Sequence, residues 1–211
     1  MNTLTTLTLH SLDSAVVQLA ELDPVLERLY QLNGIPPMWE RSNDFATLIH
    51  IILEQQVSLA SGMAVFNKLK TRINPFDPGS VLTAGETEIR ACGVTRQKTR
   101  YILNVAGAVA EGSLDFKMLG QLSDVPAAHM LEEIKGVGPW TSAIFLIMAL
   151  RRPDVWPRGD LALAIATTEA YELEKRPSYA DLEIMAKRWK PFRAVAARLL
   201  WHYYLIKRGR Q

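Results

Sequence analysis

The sequence predicts an all-α protein, and three observations carry that reading. Apolar residues recur at three- and four-residue spacing through most of the chain, the signature of amphipathic helices. No stretch alternates with period two for long enough to make a buried strand. The gaps between apolar stretches hold helix caps and breakers, such as Asp23-Pro24, Gly34, Gly93 and Gly112. At 211 residues, with 48% hydrophobic and 22% charged residues, the chain is globular rather than disordered. It can bury a core as one unit or as two small lobes.

Residues 1–10 are rich in Thr and Leu without periodicity, which predicts a loosely ordered arm. From Ser14 to Asn33 the spacing is helical, broken at Asp23-Pro24 as the cap and first-turn proline of a second helix, with Gly34 as its stop. The segment IPPMWERSN, residues 35–43, reads as a linker and domain crossing. Phe45, Leu48, Ile49, Ile52 and Leu53 line one helix face. Gln55 to Ser58 interrupts before another helix runs to Arg72. Asn74 to Ser80 is a Pro/Gly loop, and Thr83 to Glu86 has capping-box spacing for a short helix ending at Gly93. Helices are then predicted over Thr95–Glu111, Asp115–Leu119, Ser123–Ile134, from Asp160 to Tyr171, over Tyr179–Trp189 with Ser178 as cap, and from Pro191 onward. That makes about ten helices.

The net charge of +2 does not by itself argue for nucleic acid. Basic residues do cluster, at Arg96, Lys98 and Arg100, at Arg151, Arg152 and Arg158, and at Lys187, Arg188, Lys190 and Arg193. Each cluster also suits a solvated helix face. A single cysteine, Cys92, excludes an intrachain disulfide and a cysteine-built zinc or iron–sulfur site. The four histidines, His10, His50, His129 and His202, lack ligand spacing, so no cofactor is expected. Neither a signal peptide nor an apolar run of spanning length is present. The expectation is a cytoplasmic monomer that does not enter membranes.

Residues 131–160, LEEIKGVGPWTSAIFLIMALRRPDVWPRGD, organise the rest. Two glycines one residue apart, Gly136 and Gly138, suit left-handed backbone and close approach to a ligand. Pro139 opens a helix whose free N–H groups, with the helix dipole behind them, suit a phosphate. This helix-hairpin-helix pattern grips a nucleic-acid backbone without reading bases. By itself a GVG turn equally suits a tight helix–helix connection. Trp140, Thr141 and an apolar run to Leu150 follow, so the helix is buried on most sides. Asp160 then precedes another apolar helix, where an N-cap is its simplest role.

Taken together, hairpin, Gly-Val-Gly, apolar helix and Gly-Asp resemble the helix-hairpin-helix-Gly-Pro-Asp superfamily of DNA glycosylases, with Pro157 and Gly159 loosely standing for its Gly-Pro. The resemblance spans about Ser42 to Arg208. ILEQQVSLASGMAVF and WKPFRAVAARLLW are similar to segments of its alkylated-base branch, the DNA-3-methyladenine glycosylase II type, in a compact form without the extra N-terminal β-containing domain.

The resemblance implies a middle helical lobe over 44–150, with the helix-hairpin-helix at about 124–150. It implies a second lobe from 1–43 with 151–211, and an active-site cleft between the two. Its implied partner is double-stranded DNA containing damaged bases. Asp160 would be catalytic, and Trp140, Ile144 and Trp201 would form the base pocket, Ile144 replacing the branch's usual tyrosine. Gln56 would be the wedge pushed into the DNA stack, at a position where the branch often carries leucine. Gly136, Val137, Gly138 and Thr141 would bind the DNA backbone, and the carbonyls of Glu132, Ile134 and Gly136 would be the place for a monovalent cation. Local readings stay open beside these: both glutamines as helix-end cross-links, and both tryptophans as core.

The chemistry fits the resemblance. An enzyme acting on a base must draw it out of the duplex, and breaking the N-glycosidic bond leaves positive character on the sugar that a carboxylate stabilises. A cationic alkylated purine leaves easily and stacks well on aromatic faces. Lyase-competent branches place at position 140 a lysine that attacks the sugar; this chain has Trp140. The expectation is therefore a monofunctional glycosylase hydrolysing alkylated bases such as 3-methyladenine and 7-methylguanine, the first step of base excision repair. The alternatives are a bifunctional glycosylase/lyase for oxidised bases and a non-catalytic helix-hairpin-helix DNA-binding module.

Overall fold

Thr8 and Ser11 start the first helix by accepting each other's backbone N–H groups, a reciprocal cap for donors that have no helical partner. The computed structural model describes residues 6–209. Among them twelve α-helices follow in order: α1 (Leu9–Leu22), α2 (Pro24–Asn33), α3 (Phe45–Glu54), α4 (Leu59–Arg72), α5 (Pro78–Ala91), α6 (Arg96–Ala110), α7 (Phe116–Gln121), α8 (Asp124–Glu132), α9 (Pro139–Met148), α10 (Leu161–Ala170), α11 (Tyr179–Ala186) and α12 (Arg193–Lys207). A 3₁₀ turn, Lys187–Trp189, joins α11 to α12, and no strand occurs among the described residues. The protein is all-α.

Most boundaries follow from short polar caps. Asp23, Asp44, Ser58, Asp77, Thr95, Asp115, Asp160 and Ser178 each accept a first-turn N–H through the side chain, a contribution of about 1 kcal/mol apiece. Three expectations need correction. The loose arm over 1–10 is wrong for its later part, because Leu7 is buried and donates its N–H to the Arg151 carbonyl at 2.8 Å, and α1 begins at Leu9. Residues 1–5 of that arm lie outside the described residues. Thr83 does not cap a helix: α5 starts earlier, at the Asp77-Pro78 pair, and the Thr83 hydroxyl donates to the Gly79 carbonyl at 2.9 Å. Gly85, at φ +68°, then kinks α5, which only a residue tolerant of left-handed backbone permits cheaply. Finally, α12 begins at Arg193 rather than Pro191, because its first N–H groups are satisfied from residues 153 and 154 instead of locally.

The chain divides into two units, Arg41–Leu150 and Met1–Glu40 with Arg151–Gln211. In the first, α3 is the central helix, packed by α4, α6 and α9. It is buried well beyond a single face, with Leu48, Ile49, Ile51, Ile52 and Leu53 all in the core. Its last residue, Glu54, is also buried, and Arg41 grips it through two hydrogen bonds of 2.8 Å. Such a bidentate pair offsets the cost of burying the carboxylate.

In the second unit α12 is central, with α1, α2 and α10 against it and Ala194 to Trp201 buried along its length. Arg198 lies in this core and donates to the carbonyls of Met38 and Pro37, which anchors the segment before Glu40. Burial pushes its guanidinium pKa down to about 10. A second polar node joins three elements: the Asp23 carboxylate accepts from the Tyr171 hydroxyl at 2.7 Å and Trp189 Nε1 at 2.9 Å, and pairs with Arg188 at 3.0 Å.

Candidate functional site

Asp160 ends the loop that enters α10. Its Oδ1 accepts the Leu163 N–H at 2.8 Å, so the N-cap reading of Asp160 is correct. The same Oδ1 accepts Trp201 Nε1 from α12 at 3.3 Å. Both residues are only 8% exposed. A buried carboxylate beside an indole is more than a cap needs, because a capping aspartate works equally well in solvent.

Several contacts immobilise the loop that presents Asp160. Arg193 binds Asp154 through Nε (2.9 Å) and Nη2 (3.0 Å), and Nη2 also donates to the Asp154 carbonyl at 2.7 Å. The Ala194 N–H reaches the Pro153 carbonyl at 2.9 Å. Trp156 packs against Trp189 with ring centroids 5.5 Å apart, and Arg158 pairs with Glu183 at 2.6 Å. Gly159, at φ +77°, makes the final bend into the cap. Within the basic clusters, Arg96, Arg151, Arg158, Arg188 and Arg193 thus serve ion pairs, with Glu86, Glu40, Glu183, Asp23 and Asp154 respectively. Arg96, Arg158 and Arg188 remain largely exposed, as on a solvated face, while Arg151 and Arg193 are partly buried.

The hairpin lies in the other unit. The Val137 N–H closes the turn onto the Ile134 carbonyl at 2.9 Å, and Gly138 caps α9 with Pro139 in its first turn. The two glycines do different jobs. Gly136 has φ +111°, and a Cβ there would run into the Tyr101 ring of α6. Gly138 has φ −100° and ψ −179°, extended backbone open to any residue, with nothing within 4 Å of an added Cβ. Only the first glycine is sterically required, contrary to the expectation for the pair.

Two of the expected backbone-binding residues have buried side chains. Val137 is 4% exposed with its N–H used inside the turn. Thr141 is 2% exposed, and its Oγ1 accepts Gln55 Nε2 at 2.9 Å. The Val137 N–H is therefore used up, whereas the Thr141 N–H belongs to the first turn of α9, so Thr141 stays with Gly136 and Gly138 among the backbone-binding candidates. On α9, Trp140 is half-buried in the first turn and Ile144 is buried one turn later.

Gln55 also donates to the Gly136 carbonyl at 3.0 Å. Of the three carbonyls expected to suit a cation, those of Ile134 and Gly136 therefore already accept hydrogen bonds. A carbonyl oxygen carries two lone pairs, so these bonds leave each a second acceptor site for the expected ion. Among the described residues no cluster of His, Cys, Asp and Glu could hold a metal, and no helix is long and apolar enough to cross a membrane.

Gln56, beside this cross-link, is exposed at φ +57°, a left-handed conformation uncommon for a residue with a side chain. Gln55 therefore takes the cross-linking role that was open to both glutamines, while Gln56 points out of the fold's bonding network at a strained turn. Lys98, legible in the sequence only as part of a basic cluster, donates to the Leu53 and Gln55 carbonyls at 2.7 and 2.8 Å. No sequence signal distinguishes it from its neighbours Arg96 and Arg100.

The sequence profile described as HhH-GPD superfamily base excision DNA repair protein matches residues 49–193. The DNA-3-methyladenine glycosylase 1 of Schizosaccharomyces pombe is 31% identical over 198 residues, covering 90% of this chain and 87% of the relative. The solved 3-methyladenine DNA glycosylase of the same yeast, in complex with abasic DNA, matches with a TM-score of 0.85 at 26% identity, over 92% of this chain and 97% of that one. A DNA-3-methyladenine glycosidase structure from Bacillus halodurans matches with a TM-score of 0.78 at 26% identity, over 92% and 91%.

Proposed function

The chain belongs to the HhH-GPD superfamily of base excision DNA repair proteins, and from that membership we propose that it is a monofunctional DNA glycosylase that excises alkylated bases of the 3-methyladenine and 7-methylguanine type from double-stranded DNA. The observation that carries this reading is the buried Asp160 carboxylate with the Trp201 indole against it. The names of the similar proteins, 3-methyladenine glycosylases, support the substrate class.

The reaction takes a nucleotide turned out of the duplex. The C1′–N bond breaks with its electron pair going to the base, whose existing positive charge is thereby neutralised. Asp160 stabilises the cationic sugar as it forms. Water then bonds to C1′ and gives up one proton, leaving an abasic site. Trp201 offers an aromatic face to the cationic base, and Trp140 and Ile144 are further base-contacting candidates. Gly136 in the hairpin, and Gly138 and Thr141 at the start of α9, are the residues proposed to hold a DNA phosphate, because the first-turn N–H groups and the helix dipole favour an anion. Gln56 is the residue proposed to enter the stack where the base has left.

Single-turnover release of 7-methylguanine and 3-methyladenine from duplex oligonucleotides, with borohydride added, tests this. The expected result is free base and an intact abasic strand, without a protein–DNA adduct. A trapped adduct would mean lyase chemistry, and binding without base release would mean a non-catalytic module.

A further inference from the structure

The turn between α3 and α4 is fastened from two directions. On one side, the Gln55 amide nitrogen spends both its hydrogens on the hairpin, at the Gly136 carbonyl (3.0 Å) and Thr141 Oγ1 (2.9 Å). On the other, Lys98 Nζ holds the Leu53 and Gln55 carbonyls at 2.7 and 2.8 Å. Those carbonyls belong to the C-terminal end of α3, where an ammonium also meets the negative end of the helix dipole. Burial lowers the Lys98 pKa, a sign that the amine has left water to make these bonds. The hairpin is tied to α6 as well, since Asn104 Nδ2 donates to the Lys135 carbonyl at 2.9 Å and the Tyr101 ring fills the space a Cβ at Gly136 would need. The residue these bonds flank is Gln56, exposed and at positive φ. A non-glycine residue keeps such a conformation only where its surroundings over-determine it.

We propose that Gln55 and Lys98 are positioning residues that lock the α3–α4 turn to the hairpin, so that the residue entering the DNA stack and the turn holding the DNA backbone move as one rigid piece. This rests on the glycosylase reading above. A wedge does work on the duplex only if it cannot recoil, and the hairpin's grip on the phosphates supplies the reaction force through Gln55. Without the lock, Gln56 still sits at the turn but yields when pushed against stacked bases. The cost falls on base extrusion, not on bond cleavage.

The test compares 7-methylguanine release under single-turnover conditions from two duplexes, one with the lesion paired to cytosine and one with it opposite an abasic site, where extrusion is already easy. Gln55→Met keeps the side chain's length and removes its hydrogen bonds. The expected result is a loss of about tenfold or more on the paired duplex and less than about threefold on the unpaired one, reflecting the lower extrusion cost of a base without a partner. Lys98→Met should give the same pattern, and Lys98→Arg, which retains a charged donor, should restore much of the paired rate. Thermal melting accompanies each variant, and if Gln55→Met fails to fold the two Lys98 variants decide. Equal losses on both duplexes, or no loss on either, would overturn the proposal. Wild-type protein that releases base from neither duplex would instead sink the glycosylase reading.

Discussion

Trp201 Nε1 and the Leu163 N–H converge on one oxygen, Oδ1 of Asp160, at 3.3 and 2.8 Å. One atom thus anchors the start of α10 and touches the aromatic residue of α12. The structural and the proposed chemical roles of Asp160 are carried by the same group, and they separate only when its charge is removed without its shape.

Asp160→Asn does that. The amide oxygen can still accept from Leu163 and Trp201, so the melting temperature should stay within a few degrees and DNA binding within a few-fold. Base release should fall by about two to three orders of magnitude or more, the scale of losing one electrostatic stabiliser. Asp160→Ala should add a loss of about 1 kcal/mol in stability for the missing cap. Near-normal single-turnover release by the asparagine variant would remove Asp160 from the mechanism.

Trp201→Phe retains an aromatic face and deletes the indole N–H. Its long hydrogen bond to Asp160 is a weak one, so a few-fold loss is expected, similar for cationic 7-methylguanine and neutral hypoxanthine. Trp201→Ala should slow both by about an order of magnitude or more, because base–aromatic stacking is worth roughly 1–3 kcal/mol. The cationic base should suffer further. Equal losses in the alanine variant with unchanged melting would leave Trp201 a role in shape alone.

The two hairpin glycines should respond in opposite ways. Gly136→Ala combines a positive φ with a clash against Tyr101, so denaturant unfolding should show a loss of about 2 kcal/mol or more. Gly138→Asp meets open space in extended backbone, and aspartate is a favoured N-cap, so stability should hold or rise. Its affinity for every DNA sequence should nevertheless drop, since the new charge faces the expected phosphate. Unchanged affinity at low salt would make the hairpin a structural turn only.

Asp23 predicts an acid-sensitive fold. Burial pushes its carboxyl upward, but hydrogen bonds from Tyr171 and Trp189 and the Arg188 charge outweigh that and hold it below the ordinary aspartate value. As pH falls the unfolded chain therefore takes up this proton before the folded one does. The stability contributed is present above about pH 4 and is lost as pH drops through the lower folded value. Asp23→Asn should cost roughly 2–4 kcal/mol at neutral pH and flatten the acid limb of the stability curve. A variant whose acid limb parallels the wild type would show that Asp23 does not set it.

What the sequence by itself determined is everything local in origin. Asp23-Pro24, Ser58, Thr95 and Ser178 start helices through bonds to residues two or three positions away, and Asp160 caps α10 in the same way. The all-α class and the order of the hairpin, apolar helix and Asp160 were likewise legible from spacing alone. Tertiary structure decided what depends on partners far along the chain. Asp154 supplies the start of α12, and Arg151 orders Leu7. Tyr101 makes Gly136 obligatory while Gly138 is not. Gln55 and Gln56 are chemically identical neighbours, and only the positions of Gly136 and Thr141 turn one inward to bind the hairpin while the other stays exposed. A hydrogen bond between residues dozens of positions apart leaves no periodicity in a sequence, because neither its distance nor its geometry exists until the helices have packed.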